Sequence, residues 1–251
     1  MTSSSPLTAS STRMTGYASN TSAGSIEQNL CTVSGNAVYK VRASDGTILG
    51  TFPIISPGPM AFDGADIWIL NSGDSVTELR ASDGTNLKTV SVPPGAVSMA
   101  FDGANIWVAS YKATGAVTEI QASTGEVLGS FLNDYVVDGG TPISIAFDGA
   151  NMWVVTDYEG EGVLKIQVSN GEVFGGLYGF VGLQGTFSAD TIGMAFDGVN
   201  MWVTGFNELT AFRTSDLALL GNFSIWTQGA VAFDGANVWV ACSFGCDVNK
   251  F

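Results

Sequence analysis

The chain has 251 residues, of which 45 % are hydrophobic and only 13 % charged, a balance that folds around a sizeable core. Nine basic residues against 23 acidic ones leave a net charge of −14, which excludes a nucleic-acid binder and disfavours anionic membrane surfaces. There is no histidine, so Ser-His-Asp and Cys-His catalysis and imidazole-bound zinc are excluded as well.

The chain opens on a polar stretch, Met1 to Ser25, rich in Ser, Thr and Ala. It lacks the basic start and apolar run of a signal peptide. No apolar run in the chain reaches bilayer-spanning length, so no membrane insertion is expected. Residues 1–16 read as a polar arm, and residues 17–251 as the folded repeat domain.

From residue 61 onward one phrase recurs. Ala-Phe-Asp-Gly-x-x-x-Trp stands at Ala61–Trp68, Ala100–Trp107, Ala146–Trp153, Ala195–Trp202 and Ala232–Trp239, with 39, 46, 49 and 37 residues between tryptophans. This approaches the roughly 40–45 residues of a four-stranded propeller blade. A second phrase follows, Ser75-Val-Thr-Glu-Leu-Arg-Ala-Ser-Asp-Gly-Thr85 in the first copy and Ala116-Val-Thr-Glu-Ile-Gln-Ala-Ser-Thr-Gly-Glu126 in the next. It runs into an apolar segment such as Val127–Phe131 or Leu219–Phe223.

Each unit therefore predicts four short strands. The first ends at Ala-Phe, and Asp-Gly makes a tight turn because hairpin turns need positive φ. The second is Ile-Trp-Val or its relative; a polar loop leads to the third, and a second Asp-Gly, Thr-Gly or Asn-Gly turn leads to the fourth. Turn residues interrupt every run before helical length. A sandwich would alternate apolar and polar residues, yet Ser98–Phe101 and Ile106–Ala109 are apolar on both faces. Sheets packed on both sides, as in a propeller, require that. The expected fold is an all-β propeller of six four-stranded blades.

The two ends depart from the pattern. Leu30–Val41 aligns with Ile67–Leu79, so residues from about 17 to 52 form a degenerate first blade without its Phe-Asp-Gly phrase. Gly245–Phe251 matches a third strand and leaves the last blade one strand short. An unpaired edge is a template for strand addition. Part of Thr2–Thr15 is expected to supply the strand, in cis as propellers close, or in trans to a neighbouring copy. Head-to-tail donation that does not close builds a filament.

The phrases Ala-Phe-Asp-Gly-Ala-Asn-Ile-Trp-Val (Ala100–Val108) and Leu-Arg-Ala-Ser-Asp-Gly-Thr (Leu79–Thr85) resemble those of the YVTN/NHL-like propeller superfamily, over roughly residues 30–251. The resemblance implies a propeller without a shared activity, since the superfamily holds enzymes, ligand binders and scaffolds. Its streptogramin lyase branch depends on a histidine that this chain lacks. Its metal-dependent lactonase branches use carboxylates and amides around the central channel.

Two residue sets repeat with the blade. The pairs Asp63-Gly64, Asp102-Gly103, Asp148-Gly149, Asp197-Gly198 and Asp234-Gly235 read as structural turns rather than a carboxylate ring. Trp68, Trp107, Trp153, Trp202 and Trp239 read as wedges between blades. No catalytic, cofactor-binding or metal-ligating residue is assigned, and no cofactor is expected. Insertions at Asn133–Thr141, Asp157–Glu161 and Tyr178–Phe187 map to loops, which in repeat proteins often carry binding. Asp157, Glu159 and Glu161 match no known calcium-loop spacing. Cys242 and Cys246 sit at hairpin-disulfide spacing, and a bond from Cys31 to the last blade would lock a closed ring; three buried thiols would give the same sequence. A disulfide would place the protein in an oxidising compartment.

The expectation is a non-enzymatic structural or interaction propeller, extracellular or on the cell surface, whose partners are proteins and include copies of itself. The alternative is a small-molecule binder or metal-dependent, lactonase-like hydrolase with a site in the central channel. That alternative needs carboxylates on the axis, where the first strands offer Ser98, Ser144 and Gly193.

Overall fold

The computed structural model describes residues 29–42, 44–72, 74–111, 116–131, 141–157, 162–178, 193–205, 208–225, 230–241 and 249–250. These residues are all-β, and they form six antiparallel sheets in chain order. Sheet 1 holds β1 (Asn29–Ser34), β2 (Ala37–Arg42) and β3 (Ile48–Pro53). Sheet 2 holds β4 (Pro57–Phe62), β5 (Asp66–Asn71), β6 (Ser75–Arg80) and β7 (Asn86–Ser91). Sheet 3 holds β8 (Ala96–Phe101), β9 (Asn105–Ser110), β10 (Ala116–Gln121) and β11 (Val127–Phe131). Sheet 4 holds β12 (Thr141–Phe147), β13 (Asn151–Asp157), β14 (Gly162–Gln167) and β15 (Val173–Tyr178). Sheet 5 holds β16 (Met194–Phe196), β17 (Asn200–Gly205), β18 (Glu208–Arg213) and β19 (Leu219–Ser224), and sheet 6 holds β20 (Val231–Phe233), β21 (Val238–Val240) and β22 (Asn249–Lys250). Every sheet is a meander, with strands paired in sequence order.

The second strand of each repeat explains how the sheets stack. Side chains alternate across a strand. In β5, Ile67 and Ile69 pack back onto Val38 of sheet 1, while Trp68 and Leu70 pack forward onto Met99, Ile106 and Val108 of sheet 3. Trp107 and Ala109 then meet Ile145, Met152 and Val154, and Trp153 and Val155 meet Met201 and Val203. Leu209 and the flank of Trp202 meet Val231, Val238 and Val240. Five apolar clusters thus fill the five gaps between consecutive sheets. Burying one tryptophan in such a gap contributes roughly 4–6 kcal/mol of transfer free energy. The first strands β4, β8, β12, β16 and β20 follow one another along one side of the stack, and the fourth strands lie along the other.

The described residues place β1 at the second-strand position of the repeat and β22 at a third-strand position. The polar arm 1–16, the loop acids Glu159 and Glu161, and Cys242 and Cys246 lie outside the described residues. Cys31 lies in β1, opposite Lys40.

Candidate functional site

The Asp-Gly phrase builds the same small structure five times. The backbone N–H of Asp63 donates to the carbonyl of Asp66 at 3.2 Å, which leaves Gly64 and Ala65 as the central residues of the turn. Only the glycine takes positive φ there: +99° at Gly64, +103° at Gly103, +98° at Gly149, +100° at Gly198 and +96° at Gly235. The turn therefore sits one residue later than the Asp-Gly pairing predicts. Aspartate opens it with an ordinary backbone, and its carboxylate does the closing.

One carboxylate oxygen, Oδ1 of Asp63, accepts the backbone N–H groups of Ala65 (2.9 Å) and Asp66 (2.7 Å). The other, Oδ2, accepts the indole N–H of Trp68 at 2.8 Å. The same indole bond runs from Trp107 to Asp102 (2.6 Å), Trp153 to Asp148 (2.7 Å), Trp202 to Asp197 (2.8 Å) and Trp239 to Asp234 (2.6 Å). In four copies an Asn three residues on also donates to the carboxylate, as Asn151 does to Asp148 at 3.1 Å. A buried indole N–H needs an acceptor, and the aspartate supplies it. Aspartate and tryptophan are one unit, a clasp.

In three copies the clasp favours the charged form of its carboxylate. Burial opposes ionisation of Asp148 and Asp197, but the tryptophan and backbone donors outweigh it and hold both below the usual range. Asp234 is lowered chiefly by the indole of Trp239. Each carboxylate is already engaged by donors on both oxygens, which leaves it poorly suited to ligate a metal ion. Among the described residues no three Asp, Glu or Cys side chains converge.

Across the sheet, the residue facing each tryptophan varies: Glu78, Glu119, Lys165, Ala211 and Lys250. Burial raises the carboxyls of Glu78 and Glu119; Lys88 partly counters it at Glu78, and Asp102 adds to it at Glu119. Lys88 pairs with Glu78 at 2.8 Å and lies over the Trp68 ring. Its ammonium also donates to the carbonyl of Ala122 (3.0 Å) in the next sheet, as Lys40 does to Ala81 (2.8 Å). These lysines latch one sheet to the next.

The fourth strand supplies a second latch. In Gly50-Thr-Phe52, Gly129-Ser-Phe131 and Gly221-Asn-Phe223 the ring folds back across the glycine; a Cβ at Gly50 would lie 2.7 Å from the Phe52 ring. Freed of a side chain beneath it, Phe131 stacks on Trp107 at 5.2 Å and Phe223 on Trp202 at 6.0 Å. Phe52 and Phe131 also cover the turn glycines Gly84 and Gly171 of the following sheet. In β15 the pattern reads Gly175-Gly176-Leu177, with no aromatic. At that junction lies a groove of about 340 Å³, lined by Trp153, Lys165, Phe174 and the turn Thr214–Leu217.

The first-strand candidates serve the stack. Ser98 Oγ accepts the backbone N–H of Ile145 at 3.2 Å, Ser144 is buried, and the N–H of Gly193 donates to Thr204 at 2.7 Å.

Two opposed groups of carboxyls set a pH profile. Glu78, Glu119 and Glu208 are raised by burial, so the folded chain binds their protons before the unfolded chain does, and folding strengthens as pH falls towards the ordinary glutamate value. Asp148, Asp197 and Asp234 are lowered; their contribution is full above the ordinary aspartate value and is lost as pH falls through their folded values. We expect the thermal midpoint to rise from pH 7 to about pH 4–5 and then to fall. A midpoint that declines steadily from pH 7 downward would show that these glutamates do not stabilise the fold on protonation.

No protein-family model matches the chain, and no curated protein does. Among solved structures 1342 chains match, so the architecture is widespread and singles out no activity. One of them, Kuenenia stuttgartiensis hydrazine synthase, aligns with a TM-score of 0.63 over 98 % of this chain and 99 % of that chain, at 15 % identity. The likeness shows a β-propeller-type fold and nothing about chemistry.

Proposed function

We propose that this chain is a non-enzymatic, six-bladed propeller of the YVTN/NHL-like kind that works outside the cytoplasm as a structural or interaction module. Its N-terminal arm completes the last blade, within the chain or in a neighbouring copy. The repeated Ala-Phe-Asp-Gly phrase supports the family reading. The carrying observation is Trp239. Val238 and Val240 pack on sheet 5, so Trp239 between them faces away from it. It is 38 % exposed, while Trp68, Trp107 and Trp153 are 0–1 % exposed against a following sheet. At the other end of the row, Tyr39 and Val41 are only half-buried on the face turned from sheet 2, where their counterparts Thr77 and Leu79 are 3 % exposed. Both terminal faces match surfaces that the inner sheets bury, which suits either ring closure or head-to-tail stacking.

Electron microscopy of the full chain, compared with a deletion of Thr2–Thr15, tests this. Linear chains of discs that the deletion disperses support donation between copies. Single discs whose melting point the deletion lowers support closure in cis. A deletion that changes neither assembly nor melting would overturn the reading.

A further inference from the structure

The junction of sheets 4 and 5 lacks a latch that an earlier junction has. Lys165 stands opposite Trp153 on the third strand, the place that Lys40 holds in sheet 1 opposite Cys31. Lys40 is tied to the carbonyls of Ala81 and Ser82 in the next sheet, at 2.8 and 3.4 Å. Lys165 has no such tie. Among the described residues its ammonium contacts only the Trp153 ring, 5.4 Å from the centroid. The groove of about 340 Å³ separates it from the turn Thr214–Leu217 that would have supplied the carbonyls. Two apolar side chains line that groove. Phe174 stands opposite Lys165, where β3 sets Gly50 opposite Lys40, and is 41 % exposed. Leu217 lines the turn side, on a left-handed backbone (φ +62°) of the kind that proteins hold at functional positions.

We propose that this groove binds a small aromatic monocarboxylate, with the carboxylate on the Lys165 ammonium and the ring between Phe174 and Leu217. The polar groups select the charge. Asp216, the one carboxylate in the lining, is already engaged on both oxygens: Oδ2 pairs with Arg213 at 2.9 Å, and Oδ1 accepts the N–H of Ala218 at 3.1 Å. That leaves the groove an ammonium without a counter-ion, which a carboxylate completes with a charge-assisted hydrogen bond. A chain of net charge −14 repels a polyanion such as a nucleotide more strongly than a single carboxylate. The apolar side chains select the body. The exposed Phe174 ring offers a surface to a second ring, and contact removes both from water. The volume suits a small molecule, since such sites run from about 300 to 1,000 Å³. The site rests on sheets 4 and 5 alone and does not depend on how the terminal sheets are completed.

Phenylacetate is the probe, titrated into the full chain and followed by calorimetry and by backbone amide resonances. It should bind with a Kd on the order of 1 mM and shift the amides of Thr214–Leu217. Phenylacetamide, which lacks the charge, and acetate, which lacks the ring, should each bind about tenfold more weakly. Lys165→Met should cost about tenfold in affinity. Lys250→Met removes the ammonium over Trp239 and should leave the binding unchanged. Should Lys165→Met fail to fold, the ranking of the three probes on the unaltered chain still decides. No shift in the turn up to about 20 mM phenylacetate would overturn the proposal. So would equal binding of phenylacetamide or acetate, or full binding by folded Lys165→Met.

Discussion

Asp148→Asn should destabilise the chain by about 1–3 kcal/mol, the cost of stranding a buried donor. The substitution keeps the volume and leaves an oxygen for the two turn N–H groups of Ala150 and Asn151. It sets an amide NH₂ against the indole N–H of Trp153, which is 1 % exposed. Asp234→Asn makes the same chemical change beside Trp239, which is 38 % exposed, and should lower the unfolding midpoint far less. In a Trp153→Phe background the donor is gone, so Asp148→Asn should cost much less than in the unaltered chain. Chemical denaturation of the four proteins measures the coupling. Equal losses at positions 148 and 234, or no coupling to Trp153, would mean that the aspartates matter only as turn residues.

The two phrases of the repeat were enough to place the strands, because hairpin chemistry is local and glycine marks the positions that need positive φ; the Asp-Gly turn itself lies one residue later, on Gly64 and Ala65 in the first copy. The pairing of Asp with Trp was also written there, as an unvarying spacing of five residues. A turn preference accounts for Asp-Gly by itself and leaves that spacing unexplained; the indole N–H explains it. Leu-Gly-x-Phe repeats just as plainly in Val127–Phe131 and Leu219–Phe223. The purpose of its glycine was not legible, since the Phe ring that crosses it also covers, for Phe52 and Phe131, the turn glycines Gly84 and Gly171 of the following sheet. The lysine latches were hidden for the same reason. Lys40 and Lys88 look like ordinary strand charges until the next sheet brings its carbonyls to them.

The junction between sheets makes the sharpest demand on one residue, Gly84. Its φ is +74°, and a Cβ there would lie 2.0 Å from two carbons of the Phe52 ring. Gly46 holds the corresponding place in sheet 1 at φ +73° and meets nothing within 4 Å. Gly46→Ala should therefore cost only the left-handed backbone, about 1–2 kcal/mol. Gly84→Ala adds overpacking of about 1–3 kcal/mol and should cost roughly 2–5 kcal/mol in all. Because the extra part belongs to the ring, Phe52→Leu should restore much of it in the Gly84→Ala background while destabilising the unaltered chain. The chain carries a natural version of that exchange. At the junction of sheets 4 and 5, Leu177 stands where sheets 1, 3 and 5 have Phe, and Leu217, at φ +62°, stands where the earlier sheets have Gly. Leu217 tolerates the left-handed backbone there and packs against the cluster around Trp153. A denaturant series on the two single variants and the double would show whether ring and glycine are exchangeable in this way. If Gly84→Ala costs no more than Gly46→Ala, the ring moves aside freely and Phe52 is not what holds sheet 1 on sheet 2.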